Sequence, residues 1–209
     1  MKTHGRRIAI GAGIITAMVL GVAAYVARDR IAEEWYLRKL DSPDFTEKFR
    51  AALKLGELRS IKAIPKLANL MKEADHHSEE AWAAWQIPAD FRPGGLMAHV
   101  FEQIGPTAGP ALINLLKGDP NSSHEWKGYA CVVIKRLKIK AAIPQLVCAL
   151  NVDDNFIKIM ACDALGELGD KSVIPALKQA VKDNEEHKPV KISAERALGQ
   201  LEADYSASP

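Results

Sequence analysis

The chain has 209 residues, 48% of them apolar, 6% aromatic and 26% charged, with a formal net charge of +2. That length suits one domain with a sizeable core, and a charge so close to zero excludes a general polyanion binder, so no nucleic-acid partner is expected. The three cysteines are an odd set without metal-type spacing, which excludes a disulfide framework and a zinc site.

Residues 1–7 form a basic tail carrying Lys2, Arg6 and Arg7. "IAIGAGIITAMVLGVAAYVA", residues 8–27, then runs twenty residues without a charge. About 20 apolar residues at helical rise match a hydrocarbon core of about 30 Å, so this stretch is expected to be a transmembrane helix in contact with the lipid bilayer. A cleaved signal sequence is the alternative, with Val22 and Ala24 as the small-residue site. Ala9, Gly13, Ala17 and Gly21 recur every four residues, a stripe that would let two such helices form a homodimer. The short basic tail favours a single-pass protein of the cell membrane with its bulk on the extracytoplasmic (periplasmic) side.

Residues 28–45 read as a linker or capping helix, with Ile31, Trp35, Leu37 and Leu40 roughly on one face. Ser42-Pro43-Asp44 ends it. From residue 46 the sequence repeats itself. "AALKLGELRSIKAIPKLANLMKEAD", residues 51–75, shares its skeleton with "MACDALGELGDKSVIPALKQAVKDNEE", residues 160–186. Gly56 aligns with Gly166, Lys48 with Lys158, Leu55 with Leu165 and Pro65 with Pro175. Residues 99–120 form a second unit, 127–154 a third and 155–186 a fourth, while 190–201 repeat a first helix only, with Gly199 in register.

In each unit two apolar-striped helices flank a turn, and a proline opens the second helix, where its missing N–H costs little. Gly169-Asp170 supplies a turn and an N-cap. One hairpin cannot bury both apolar faces alone, so the units must stack. The expected fold is all-α, a right-handed α-solenoid preceded by one transmembrane helix. The repeat domain spans residues 46–205, with an insertion at 76–97 and a polar tail at 206–209.

"ALGELGDKSVIPALKQAVKD", followed by "VKISAERALGQL", closely resembles the short HEAT-like repeat of phycobilisome lyases and of many unrelated bacterial proteins. The resemblance covers about residues 46–201 and is specific for fold. It implies either a non-catalytic scaffold for a protein partner or, alternatively, a bilin-lyase-like protein acting on a chromophore-bearing protein. It also implies an inter-repeat ladder of acids and bases, here Asp153 or Asp154 before Lys158 and Asp183 before Lys191, with Lys48 and Lys127 in the same register.

No phosphate loop, nucleophile elbow, CxxC or HExxH pattern occurs, so neither catalysis nor a cofactor is expected. His76, His77, Glu79 and Glu80 read as polar surface rather than a metal site. Cys131 and Cys162 occupy equivalent places in neighbouring helices, about 8–10 Å apart, and read as small core residues rather than a disulfide. Trp82, Trp85, Phe91 and Arg92 lie in the insertion and, with Trp126, are the candidate partner-binding residues. Lys135, Arg136, Lys138 and Lys140, in "KRLKIK", are the candidate contacts to an anionic surface.

Overall fold

The computed structural model describes residues 21, 27–74, 93–117 and 125–206, and every regular element among them is helical. Helix α1 covers residues 27–39. Four hairpins follow: α2 (Phe45–Glu57) with α3 (Ile64–Ala74), α4 (Pro93–Ile104) with α5 (Gly109–Leu116), α6 (Glu125–Arg136) with α7 (Ile143–Ala149), and α8 (Asn155–Leu168) with α9 (Ile174–Asp183). Helix α10 (Lys188–Ser206) repeats the first helix of a hairpin. Helix α4 begins at Pro93, within the stretch read as an insertion, and buries Leu96 and Met97.

The local signals at the hairpin turns are shared. Asp44 and Asp154 cap α2 and α8, their carboxylates accepting from the backbone N–H of Thr46 (2.8 Å) and Ile157 (3.0 Å). A single 3₁₀ turn precedes each second helix, and Pro65, Pro110, Pro144 and Pro175 each stand at the second helical residue. Between the helices the chain turns through one residue of positive φ: Arg59 (51°), Gly105 (90°), Lys138 (53°) and Gly169 (73°). Glycine fills that place twice. Arg59 and Lys138 hold it at a steric cost of about 1 kcal/mol.

The first helices pack in series, α2 on α4, α4 on α6, α6 on α8 and α8 on α10. Each second helix also packs on the first helix of the next unit: α3 on α4, α5 on α6, α7 on α8 and α9 on α10. This is the contact pattern of an α-solenoid. One continuous core runs along it through Leu55, Leu67, Phe101, Leu112, Ile134, Leu146, Leu165 and Leu177. Full burial of such a side chain is worth about 1.5–3 kcal/mol.

Glycine sets the approach of neighbouring first helices. A Cβ on Gly166 would lie 2.9 Å from the Ala197 Cα, and one on Gly56 would lie 3.3 Å from the Val100 Cα. Gly94 and Gly128 are covered by the rings of Tyr129 and Phe156, which meet edge to face with centroids 5.5 Å apart.

Helix α1 continues the array at its N-terminal side. Leu40 is buried and Tyr36 and Leu37 pack against the core, but Ile31 and Trp35 remain 71% and 54% exposed. The single apolar face read from the sequence is therefore split, because 31 and 35 lie a third of a turn or more away from 37 and 40. Polar contacts complete the docking. Lys62 pairs with Glu34 (2.9 Å) and Glu33 (3.3 Å), the Ser60 hydroxyl donates to Glu33 (2.6 Å), and Lys66 pairs with Asp41.

The assignment to a cell membrane as a single-pass protein is corrected. Among the described residues no helix is long and apolar enough to cross a membrane. α1 carries Arg28, Asp29, Arg30, Glu33 and Glu34 within its first turns, so it cannot prolong an apolar span. The expected span at 8–27, with the stripe Ala9, Gly13, Ala17 and Gly21 and the lipid contact and homodimer drawn from it, lies outside the described residues except for Gly21 and Ala27. Those readings gain no support.

Candidate interaction surfaces

Of the candidate partner-binding residues, Trp82, Trp85, Phe91 and Arg92 lie outside the described residues, as do His76, His77, Glu79 and Glu80. Trp126 is buried, 7% exposed, at the start of α6. The ammonium groups of Lys127 and Lys72 lie 5.6 Å and 5.9 Å from its ring centroid. It is packed in the core rather than presented to a partner.

The basic turn at 135–140 is mostly engaged within the fold. Arg136 pairs with Glu102 of α4 (2.6 Å), and Lys138 and Lys135 pair with Glu167 of α8 (3.0 Å and 3.8 Å). The hydrogen bond from Lys138 is the main reason that the Glu167 carboxyl sits below its ordinary range. Lys140 is exposed and adds its charge near Asp170, whose carboxyl is held down chiefly by Ser172. Paired across three repeats, these residues link units rather than form an open cationic patch.

The lysine register at the other end of the first helices works differently from the expected ladder. Lys48 reaches Glu73 at the end of α3 (2.8 Å), and Lys158 reaches the Asn184 side chain at the C-cap of α9 (3.2 Å). Each contact closes a hairpin instead of joining two. Asp154 is already committed to capping α8.

Cys131 and Cys162 are buried free thiols, and burial pushes both pKa values up to about 12. They are therefore unreactive as nucleophiles at neutral pH. Among the described residues no cluster of His, Cys, Asp and Glu could hold a metal ion.

Among the described residues an open surface lies between α1 and α2. A groove of about 620 Å³ is walled by Trp35 and Tyr36 from α1 and floored by Arg50, Leu53, Lys54 and Glu57 from α2. The Trp35 and Tyr36 rings meet edge to face at 4.8 Å, and the Lys39 ammonium lies 5.2 Å from the Trp35 centroid. Lys39 pairs with Glu47, which lowers the Glu47 pKa, and Lys54 pairs with Glu57 (2.8 Å), which raises the Lys54 pKa. Arg50 is exposed and makes no ion pair among the described residues. The groove thus offers aromatic surface beside one uncommitted guanidinium.

A sequence signal for this surface exists. In register, Arg50 stands where later units have Leu96, Tyr129 and Met160, and Lys54 stands where they have Val100, Val133 and Ala164. Charge at two stacking positions of one unit marks a face that no repeat among the described residues covers.

Comparison with known families bears on the array itself. Residues 109–199 match the family model for HEAT repeats, which supports a HEAT-like repeat over the last hairpins and α10. The hairpins at 45–74 and 93–116 extend the same pattern toward the N-terminus. The match is to HEAT repeats in general and does not single out the phycobilisome-lyase type. Comparison with curated proteins gave no match.

Proposed function

We propose that this chain is a non-catalytic HEAT-like scaffold that binds another protein, and that the groove between α1 and α2 receives a helix of that partner. HEAT repeats commonly serve protein–protein interaction, and the matched family supports that class of role. The observation that carries the specific reading is Trp35, 54% exposed beside a groove of about 620 Å³. Trp and Arg are the side chains most enriched at interface hot spots, and Trp35 and Arg50 are what this groove presents. Its place in the array also fits a helix. Elsewhere a first helix that receives a second helix of the preceding unit also receives that unit's first helix, as α8 packs on both α7 and α6.

A photo-crosslinking residue in place of Trp35 tests this in cells. Discrete protein adducts are expected from position 35 and not from the exposed Lys178 on α9. Equal adduct formation from both positions, or none from 35, refutes the reading.

A further inference from the structure

The two ends of the array are complementary in register and in charge. First helices run parallel and meet at fixed positions. Gly166 of α8 lies against Ala197 of α10, so closely that a Cβ built on it would stand only 3.0 Å from the Ala197 Cβ. One turn earlier on both helices, helical register sets Cys162 opposite Ser193, and both are buried. At the Cys162 position the preceding units have Ala52, Ala98 and Cys131, all buried. Helix α10 has Glu195 there, and it is exposed. At the position that faces it, the later units carry Leu96, Tyr129, Met160 and Ser193, whereas α2 carries the exposed Arg50.

The outward face of α10 therefore presents Glu195 where the outward face of α2 requires an anion. The steric match is of the same kind. Gly199 holds the register of Gly56 and Gly166, and nothing lies within 4 Å of a Cβ built on it. In a continued stack it would face Lys54, leaving room for that side chain as Gly166 does for Ala197. Ile192, 52% exposed on the same face, and the half-exposed Trp35 would both lose water on contact.

We infer that the groove between α1 and α2 accepts α10 of a second copy of this chain, with Glu195 paired to Arg50, so that copies stack head to tail and continue the solenoid. The inference rests on the reading of the groove as a helix-binding surface and names its occupant. Such a contact is heterologous, so association grows beyond a dimer instead of closing.

Sedimentation velocity of the full chain over a wide concentration range tests it. The mean mass of the wild type is expected to rise steadily with concentration. Arg50→Glu and Glu195→Arg should each weaken association by about tenfold or more, since like charges would meet across the contact. The double variant should return to within about threefold of wild type. That rescue separates this contact from any association through the apolar stretch 8–27. Both substituted positions, 50 and 195, are solvent-exposed, and circular dichroism of each variant verifies that the helices are retained. A monomer at every concentration, association indifferent to both reversals, or a double variant that stays dissociated overturns the inference. Crosslinks from position 35 to a different protein, with a monomeric chain, would sink it while leaving the groove as a partner site.

Discussion

The junctions at Gly56 and Gly166 and those at Glu102 and Lys135 use the same two register positions in opposite ways. Between α2 and α4, and between α8 and α10, a glycine leaves room for the amide of Gln103 or Gln200, whose oxygen occupies the space a Cβ would take. Between α4 and α6, and between α6 and α8, both positions carry charge, as Glu102 with Arg136 (2.6 Å) and Lys135 with Glu167 (3.8 Å). Gly94 and Gly128 then provide the close approach at the other end of those helices. The core fixes helix separation, and each rim adopts whichever pair fits it. A missing side chain permits backbone contact, whereas two long opposite charges lie over the junction and meet at their ends.

The largest effect expected is at the glycine junctions. Gly166→Ala should destabilise by about 1–3 kcal/mol despite better helix propensity, because the Cα of Ala197 at 2.9 Å belongs to backbone that cannot swing away. Gly56→Ala should stay within about 1 kcal/mol of wild type, since Val100 Cα is 3.3 Å away and the other obstacle is the end of Gln103. Gly199→Ala, with open space around it, should gain up to about 1 kcal/mol. Denaturant unfolding ranks the three, and equal losses at 56 and 166 would break the distinction.

The hairpin turns give the next effect. Arg59→Gly relieves a left-handed residue and should raise stability by about 1 kcal/mol. Lys138→Gly relieves the same strain but removes the contact to Glu167, so its gain should be smaller. A gain at 138 equal to that at 59 in thermal melts would show that the charged junction contributes nothing there.

The charge pairs should give the smallest effect. A double-mutant cycle of Glu102→Ala and Arg136→Ala should return a coupling of about 0.2–1 kcal/mol that shrinks with salt. Arg136 is 60% exposed, which keeps the pair in the weak class. Glu167 adds a pH dependence. Its folded pKa lies below the ordinary value, so its contribution is present above the unfolded pKa and is lost as pH falls through the folded one. Glu167→Gln should therefore flatten the acid side of the stability profile, read as the denaturant midpoint against pH. An unchanged acid limb would remove Glu167 from the account.

Much of the array was legible because its determinants are local. The spacing of Gly166 and Pro175, repeated at Gly56 and Pro65, marked helix, turn and helix, and Asp170 was readable as a cap because an Asx side chain reaches its own backbone two residues on. The candidate site was far less legible. Trp126 reads as a binding aromatic until α6 turns it into the core, and the basic turn at 135–140 reads as a free patch until α4 and α8 bring acids to it.

The sequence by itself determined that the repeats are helical hairpins, where most of them turn and that they must stack, since helical period, caps and prolines act within a few residues, but it missed the start of α4 at Pro93. It also placed an apolar stretch at 8–27 whose length alone favoured a membrane span, a location that no described helix supports. Only the tertiary structure decided which faces remain open. Whether Trp35 is covered, whether Arg136 finds Glu102, and whether Arg50 keeps its charge free all depend on the neighbouring helix, which for Arg136 lies some thirty residues away and which no described helix supplies at the groove.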